Sequence, residues 1–340
     1  MTLATTRLGR TGLVVSRFVL GTMTFGLQTE EAVSHQILDK ASGAGVNFLD
    51  VADVYPLGGD TNTAGRTEEI VGRWLKAQGA NGRANHIVAT KAWGAMGPNA
   101  WDKGSSRKHL LDAIDASLKR LQTDYVDLYQ LHGDDHATPL DETLEALDTI
   151  VRSGRARYVG VSNFLAYRLA RALGRSDVNR VVRFVSLQPR YSLLFREIER
   201  ELLPLCAEEG LGVIPYNPLA GGLLSGKYQA EKGASQKPGE NTRFTLGTAA
   251  SVYQNRYWNE RSFATVGKLQ ALADEAGMPL ATLAVAWVMA NPVITAPILG
   301  ASRPEQLDAT LAAADVTLDA DLKRRLDALT AEYRMGDAVR

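Results

Sequence analysis

The chain has 340 residues, 45% of them hydrophobic, enough to bury a large core. Its 38 basic and 38 acidic residues cancel, which argues against a surface for nucleic acid or anionic membrane. A single cysteine, Cys206, excludes an intramolecular disulfide framework, and its helical, leucine-rich surroundings make it an inert core residue.

Residues 5–16 alternate around Gly9 and Gly12 and predict a β-hairpin. Residues 18–21 form a short apolar strand. Residues 30–44 place Ala32, Val33, Ile37, Leu38 and Ala41 at a helical period, ended by Gly43 and Gly45. The unit then repeats: strand 47–50 and helix 67–77, strand 86–91 and helix 106–121, strand 125–131 and helix 140–152. Strand 157–161 precedes helix 164–173, and strand 184–188 precedes helix 197–209. Strand 211–215 opens an insertion at about 217–258, rich in Gly, Ser, Pro, Gln and Asn, more like a lid than a linker. Helices near 259–276 and 280–290, strand 293–298, and helices near 303–313 and 319–331 complete the series. No run reaches ~18 apolar residues, and Met1-Thr-Leu-Ala-Thr-Thr-Arg lacks a signal-peptide core. A soluble protein of a reducing compartment, the cytoplasm, is expected.

Strands that alternate with helices predict an α/β fold, a single (β/α)8 TIM barrel over residues 1–340. It would carry an N-terminal β-hairpin and extra C-terminal helices. A Rossmann first turn would read Gly-x-Gly-x-x-Gly; residues 21–26 read Gly-Thr-Met-Thr-Phe-Gly and do not fit.

Asp50, Tyr55, Lys91 and His132 lie at or just past the C-terminal ends of successive strands, the face where barrels place their chemistry. A tyrosine can donate a proton to a developing alkoxide, and a neighbouring Lys91 ammonium would lower its pKa from about 10. Asp50 would hold the lysine, and His132 would orient a substrate carbonyl oxygen. Together they fit a carbonyl reduction with a nicotinamide hydride donor. Each residue has a plainer reading: Asp50 a turn cap, Tyr55 a surface turn residue, His132 a core histidine. Four at successive strand ends favour the site. His132 and His136 invite a metal reading, but the segment leaves a strand for a loop, so no metal site is expected.

Later strand ends add Ser162, Asn163 and Gln188, amide-type partners for a carboxamide, and Tyr191, a flat face for a nicotinamide. Tyr216 follows the seventh strand. Gly300 to Arg303 follows the eighth and opens a helix, a place suited to a phosphate or simply to an N-cap.

These residues carry a resemblance. Phe48-Leu-Asp50-Val-Ala-Asp-Val-Tyr55, Ala89-Thr-Lys91, Asp127-Leu-Tyr-Gln-Leu-His132, Gly160-Val-Ser162-Asn163-Phe164 and Pro297-Ile-Leu-Gly300-Ala-Ser302 resemble the aldo-keto reductases over nearly the whole chain. The resemblance implies a catalytic tetrad of Asp50, Tyr55, Lys91 and His132, with Tyr55 as general acid. It implies that Ser162, Asn163 and Gln188 contact the nicotinamide carboxamide. It places a stacking aromatic at Tyr191 or, as the family often has it, at Tyr216. Asn217, Pro218, Leu219 and Gly221 fall in a stretch similar to the pyrophosphate-binding one. Lys227 and Arg243 look like phosphate contacts, and Gly300, Ser302, Arg303 and Gln306 match the adenosine end. The family's Glu-Asn pair is here Ala309-Thr310, a departure on the adenine side.

The implied cofactor is NADP(H), favoured over NADH through Ser302 and Arg303. The insertion looks like that of the bacterial and potassium-channel β-subunit-like branch. The tail 332–340 is short, so no long C-terminal substrate-closing loop is expected. Substrate choice falls to Met23, Trp93, the 94–105 loop and the 217–258 loop, and the partner is a small carbonyl compound. No nucleic acid or membrane partner is expected, and an oligomer is not readable. The alternatives are an NADPH-binding redox-sensing regulatory subunit with slow turnover and a metal-dependent barrel hydrolase.

Overall fold

The computed structural model describes residues 3–79, 81–228 and 230–335. The hairpin forms as expected: β1 (Thr5–Arg7) pairs antiparallel with β2 (Val14–Ser16). Eight parallel strands follow: β3 (Val19–Gly21), β4 (Phe48–Asp50), β5 (Ile87–Ala92), β6 (Val126–Leu131), β7 (Ala156–Ser162), β8 (Ser186–Gln188), β9 (Gly212–Val213) and β10 (Ile298–Gly300). Each pairs with the next from β3 to β9, and β10 pairs with β3. Backbone bonds from Thr295 N to Val213 O and from Ile298 N to Pro215 O, both 2.8 Å, close the ring. The chain is therefore a (β/α)8 barrel.

Between strands run α1 (Glu31–Gly43), α2 (Arg66–Ala77), α3 (Arg107–Leu121), α4 (Leu140–Arg152), α5 (Ala166–Asn179) and α6 (Leu202–Glu209). Beyond β9 come α7 (Ala250–Tyr257), α8 (Glu260–Glu275) and α9 (Leu280–Met289), and after β10 α10 (Gln306–Leu311) and α11 (Ala320–Leu329). Side-chain caps start several: Ser106 accepts from His109 N, Asn259 from Ser262 N and Asp319 from Leu322 N. Gly210 ends α6 in the left-handed conformation.

Some boundaries differ from expectation. The eighth strand is Ile298–Gly300 and not 293–298, because Pro297 has no N–H to give a ladder. Helix 197–209 splits into a 3-10 turn at Glu197–Glu199 and α6, and α5 runs on to Asn179. The insertion is not irregular throughout, since it holds 3-10 turns and α7. Residues 336–340 of the predicted tail lie outside the described residues. Among the described residues no single helix is long and apolar enough to cross a membrane.

The barrel interior is split by height. Leu8 and Val15 of the hairpin segment plug the bottom, against Val19, Phe48, Ala89, Leu128, Ile214, Ala296 and Ile298. Side chains alternate in a strand, so the next inward position after Phe48 is Asp50, after Ala89 Lys91, and after Leu128 Gln130. The same parity carries Ser186 to Gln188, Gly160 to Ser162 and Ile214 to Tyr216. An apolar lower layer thus continues directly into a polar upper one. Leu128 is fully buried in the plug. Leu128→Ala is expected to cost about 2–5 kcal/mol, read as a lower midpoint of chemical denaturation; an unchanged midpoint would mean the plug can collapse to fill the space.

Candidate active site

The parity rule brings the tetrad together. Lys91 Nζ lies 2.7 Å from Asp50 Oδ2, 2.7 Å from Val51 O and 3.3 Å from Tyr55 OH. Lys91 is fully buried and Asp50 is 2% exposed. Three acceptors match the three donors of an ammonium. Burial pushes the Lys91 pKa down, and the Asp50 charge opposes that.

Tyr55 is buried at the cavity wall, not a surface turn residue. The expectation that Lys91 lowers its pKa is overturned in the resting site. Burial pushes the phenol well above its ordinary value, and the Asp50 carboxylate adds to that. The Lys91 charge is already matched by Asp50, so its net field at the phenol is small. Tyr55 therefore keeps its proton at neutral pH. His132 borders the same cavity, with its ring centroid 5.6 Å from that of Tyr55 in an edge arrangement. Its pKa is pushed down to about 3 by burial and then by Lys91, so the imidazole is neutral.

Asp50 Oδ1 accepts from Gln188 Nε2 at 2.8 Å and from Gln130 Nε2 at 3.3 Å. Gln130 is a site residue that motif reading missed. Its signal was available: it stands two positions before His132 and two after the plug residue Leu128, on the inward face. Asn163 takes a left-handed φ of 58°, sends its amide to His132 O and Ser162 Oγ at 3.0 Å each, and accepts from Tyr216 OH at 2.8 Å.

The cavity measures about 1050 Å³ and runs from the tetrad to the N-terminal side of α10. Ser162, Asn163, Gln188, Tyr216, Asn217, Pro218, Leu219, Gly221, Lys227, Arg243, Gly300, Ser302, Arg303 and Gln306 all border it. Tyr191 does not. Its ring packs on Trp287 at 5.0 Å and its hydroxyl bonds Glu199, so it belongs to the outer core, and of the two expected stacking aromatics it is Tyr216 that borders the cavity. Trp93 is also absent from the wall; its ring covers Gly133, and only Met23 of the expected selectors outside the insertion reaches the cavity. Thr310 gives its hydroxyl to Leu307 O, and Ala309 and Thr310 both border the α10 end of the cavity.

Lys227, Arg243 and Arg303 gather along one stretch of the wall. Burial lowers the Lys227 pKa, and the Arg303 and Arg243 charges lower it further. Arg243 Nη1 is buried without a hydrogen-bond partner among the described residues. Three cations and an unpaired guanidinium nitrogen make a cradle for phosphate groups. Ser302 N and Oγ both point at Gln306 Oε1, at 2.8 and 3.2 Å. The donor set fits a dinucleotide: amides by the tetrad, cations further along.

Behind the tetrad lies a second buried cluster. Glu68 accepts from Thr90 Oγ1 at 2.5 Å and Arg120 Nε at 2.6 Å. Asp53, fully buried, sits beside it; burial and then the Glu68 charge push its pKa well up. A carboxyl whose folded pKa exceeds its unfolded value keeps its proton to higher pH in the native state than in the unfolded chain. Its stabilising share is complete below the unfolded pKa and falls as pH rises toward the folded one. Asp53→Asn removes that slope. The variant is expected to gain more thermal stability at pH 7 than at pH 4 relative to the parent, measured as melting temperature at both; an equal change at both would show that the Asp53 pKa is not raised on folding.

The model of the Aldo/keto reductase family matches residues 17–331. The uncharacterized oxidoreductase YrpG of Bacillus subtilis is 42% identical, over 95% of this chain and 94% of its own. A probable voltage-gated potassium channel subunit beta of Arabidopsis thaliana is 38% identical, over 91% and 90%. Versiconal hemiacetal acetate reductase of Aspergillus parasiticus is 31% identical, over 92% of each chain. The chain belongs to the aldo/keto reductase family and is an NAD(P)H-dependent oxidoreductase.

Proposed function

We propose that the protein reduces an aldehyde or ketone to an alcohol with NADPH, and that Tyr55 delivers the proton. One observation carries the reading: a protonated, buried Tyr55 hydroxyl stands 3.3 Å from Lys91 Nζ, at the cavity wall beside a neutral His132. A reduced nicotinamide, when bound, supplies a hydride to the carbonyl carbon. His132 offers the carbonyl oxygen a neutral N–H and so orients it without surrendering a proton. Tyr55 OH gives its proton to the oxygen as negative charge develops there. The phenolate left behind faces the Lys91 ammonium, so the charge that burial disfavours at rest is balanced at the moment it forms.

Ser162, Asn163 and Gln188 would hold the carboxamide and Tyr216 the ring face. Asn217, Pro218, Leu219 and Gly221 line the path to the cations, where Lys227, Arg243 and Arg303 would take the phosphates. Arg303 beside Ser302 is the group we assign to a 2′-phosphate, and it supports NADPH over NADH. The oligomeric state carries no part of this reading.

The direct test follows NADPH oxidation with 4-nitrobenzaldehyde and a panel of small ketones. Substrate-dependent oxidation is expected. Bound NADPH without turnover across the panel would favour the regulatory alternative. Tyr55→Phe is expected to lower kcat by about 10²–10⁴ while the NADPH Kd stays within about threefold of the parent; full activity in the variant would remove Tyr55 from the role. Arg303→Ala is expected to weaken NADPH by about tenfold or more and leave NADH nearly unchanged, measured by fluorescence titration. Equal losses for both would move the 2′-phosphate contact elsewhere.

A further inference from the structure

We propose that Asp53 is a positioning residue for the proton transfer. Held as a neutral acid, it leaves Lys91 with a single carboxylate to answer; ionised, it competes for the same ammonium and slows turnover. This rests on the proton-donor reading of Tyr55 above.

Asp53 links the tetrad to the cluster behind it. It lies two residues before Tyr55, and its backbone N–H donates to Lys91 O at 3.1 Å. The residue is fully buried, and neither carboxyl oxygen has a hydrogen-bond partner among the described residues. The charged groups that act on it come from three elements: Glu68 on α2, Lys91 in β5 and Arg120 on α3. Tyr129 of β6 feels Asp53 and Glu68 as well; burial and those two charges push its pKa well up, and its hydroxyl donates to Leu110 O at 3.3 Å.

The other members of the cluster are matched. Glu68 accepts from Arg120 Nε at 2.6 Å and from Thr90 Oγ1, and Asp50 accepts from Lys91 Nζ at 2.7 Å. Two cations thus already answer two carboxylates. Asp53 is a third carboxyl, with no cation of its own. An unmatched buried charge costs far more than a buried neutral acid, so the cluster keeps one proton and Asp53 is where it sits. Burial and then the Glu68 charge oppose its ionisation, and they outweigh Arg120, the Val54 N–H and Lys91, which favour it.

The consequence reaches Tyr55 through Lys91. When Tyr55 gives up its proton, a phenolate joins Asp50 and Glu68 against two cations, an excess of one negative charge. Loss of the Asp53 proton to solvent would make that excess two. The Asp53 charge acts on Lys91, so it draws on the ammonium that the phenolate needs. Turnover should therefore fall as pH rises through the ionisation of Asp53.

The first readout is infrared and independent of turnover. A protonated carboxyl has a C=O stretch above the amide band, and the difference between the parent and Asp53→Asn is expected to contain it at pH 7. The second readout is the pH profile of kcat with NADPH and 4-nitrobenzaldehyde. Between pH 7 and the alkaline pH at which the band is lost, kcat of the parent is expected to fall at least about fivefold, and that of the variant less than about twofold. A residue that only props the fold would not tie kcat to the band. Should Asp53→Asn fold poorly by circular dichroism, Asp53→Ser serves, since it too stays neutral throughout. A parent without the band, a band that persists until the chain unfolds, or a fall in kcat shared by the folded variant would overturn the proposal. A parent that shows the band but reduces no carbonyl would overturn the Tyr55 reading, and this proposal with it.

Discussion

A lysine and a carboxylate meet in the middle of this barrel with almost no contact with water. Taking two such charges out of solvent costs several kcal/mol per ion, repaid only by good geometry and a full set of hydrogen bonds. The surroundings of Lys91 and Asp50 meet that demand. The ammonium has a carboxylate, a carbonyl and a hydroxyl. The carboxylate has the ammonium on one oxygen and two amides on the other. These partners come from β4, β5, β6 and β8 and from the segment after β4. A shift of register in any of those strands would leave a buried charge unmatched, so the chemistry and the barrel constrain each other.

The pair also explains the protonation states around it. Both charges are felt by their neighbours: Asp50 raises the Tyr55 pKa and Lys91 lowers that of His132. Burial is the larger cause at each: it keeps Tyr55 protonated and His132 neutral, and it pushes the Asp53 pKa up. The resting site holds proton donors and a poised cation, with no free anion to compete for the proton. A phenolate formed at Tyr55 would face the Lys91 ammonium, 3.3 Å from the hydroxyl.

Much of this could be read in advance. The alternation of short apolar runs with helical periods sets the barrel, and polar residues that end those runs mark its working face. What stayed hidden depended on side-chain direction or on long-range packing. Gln130 sits inside a strand and not at its end, so a search of strand ends passes over it, although inward parity with Leu128 and His132 identifies it. Tyr191 follows Gln188 by three residues, but the chain has by then turned outward and its ring meets Trp287. Strand 293–298 slipped because an apolar run shows where a strand is affordable and not where its N–H groups are needed; Pro297 settles that. The direction of the Tyr55 pKa was misjudged because sequence places Lys91 nearby but cannot show that Asp50 already answers its charge.

The insertion after β9 completes the cavity through contacts that leave little room for side chains. A Cβ on Gly247 would lie 2.1 Å from Gly58 O, and Gln28 donates to Asn241 O across the cleft. Asn217 is bound to Tyr257 of α7, and Tyr216 to Asn163 at the tetrad end. The same insertion carries Lys227 and Arg243 toward Arg303; burial lowers the Lys227 pKa most, and the Arg303 and Arg243 charges lower it further. Holding like charges together works against closure unless an anion lies between them. Phosphate groups in that position would turn a repulsive wall into a clasp.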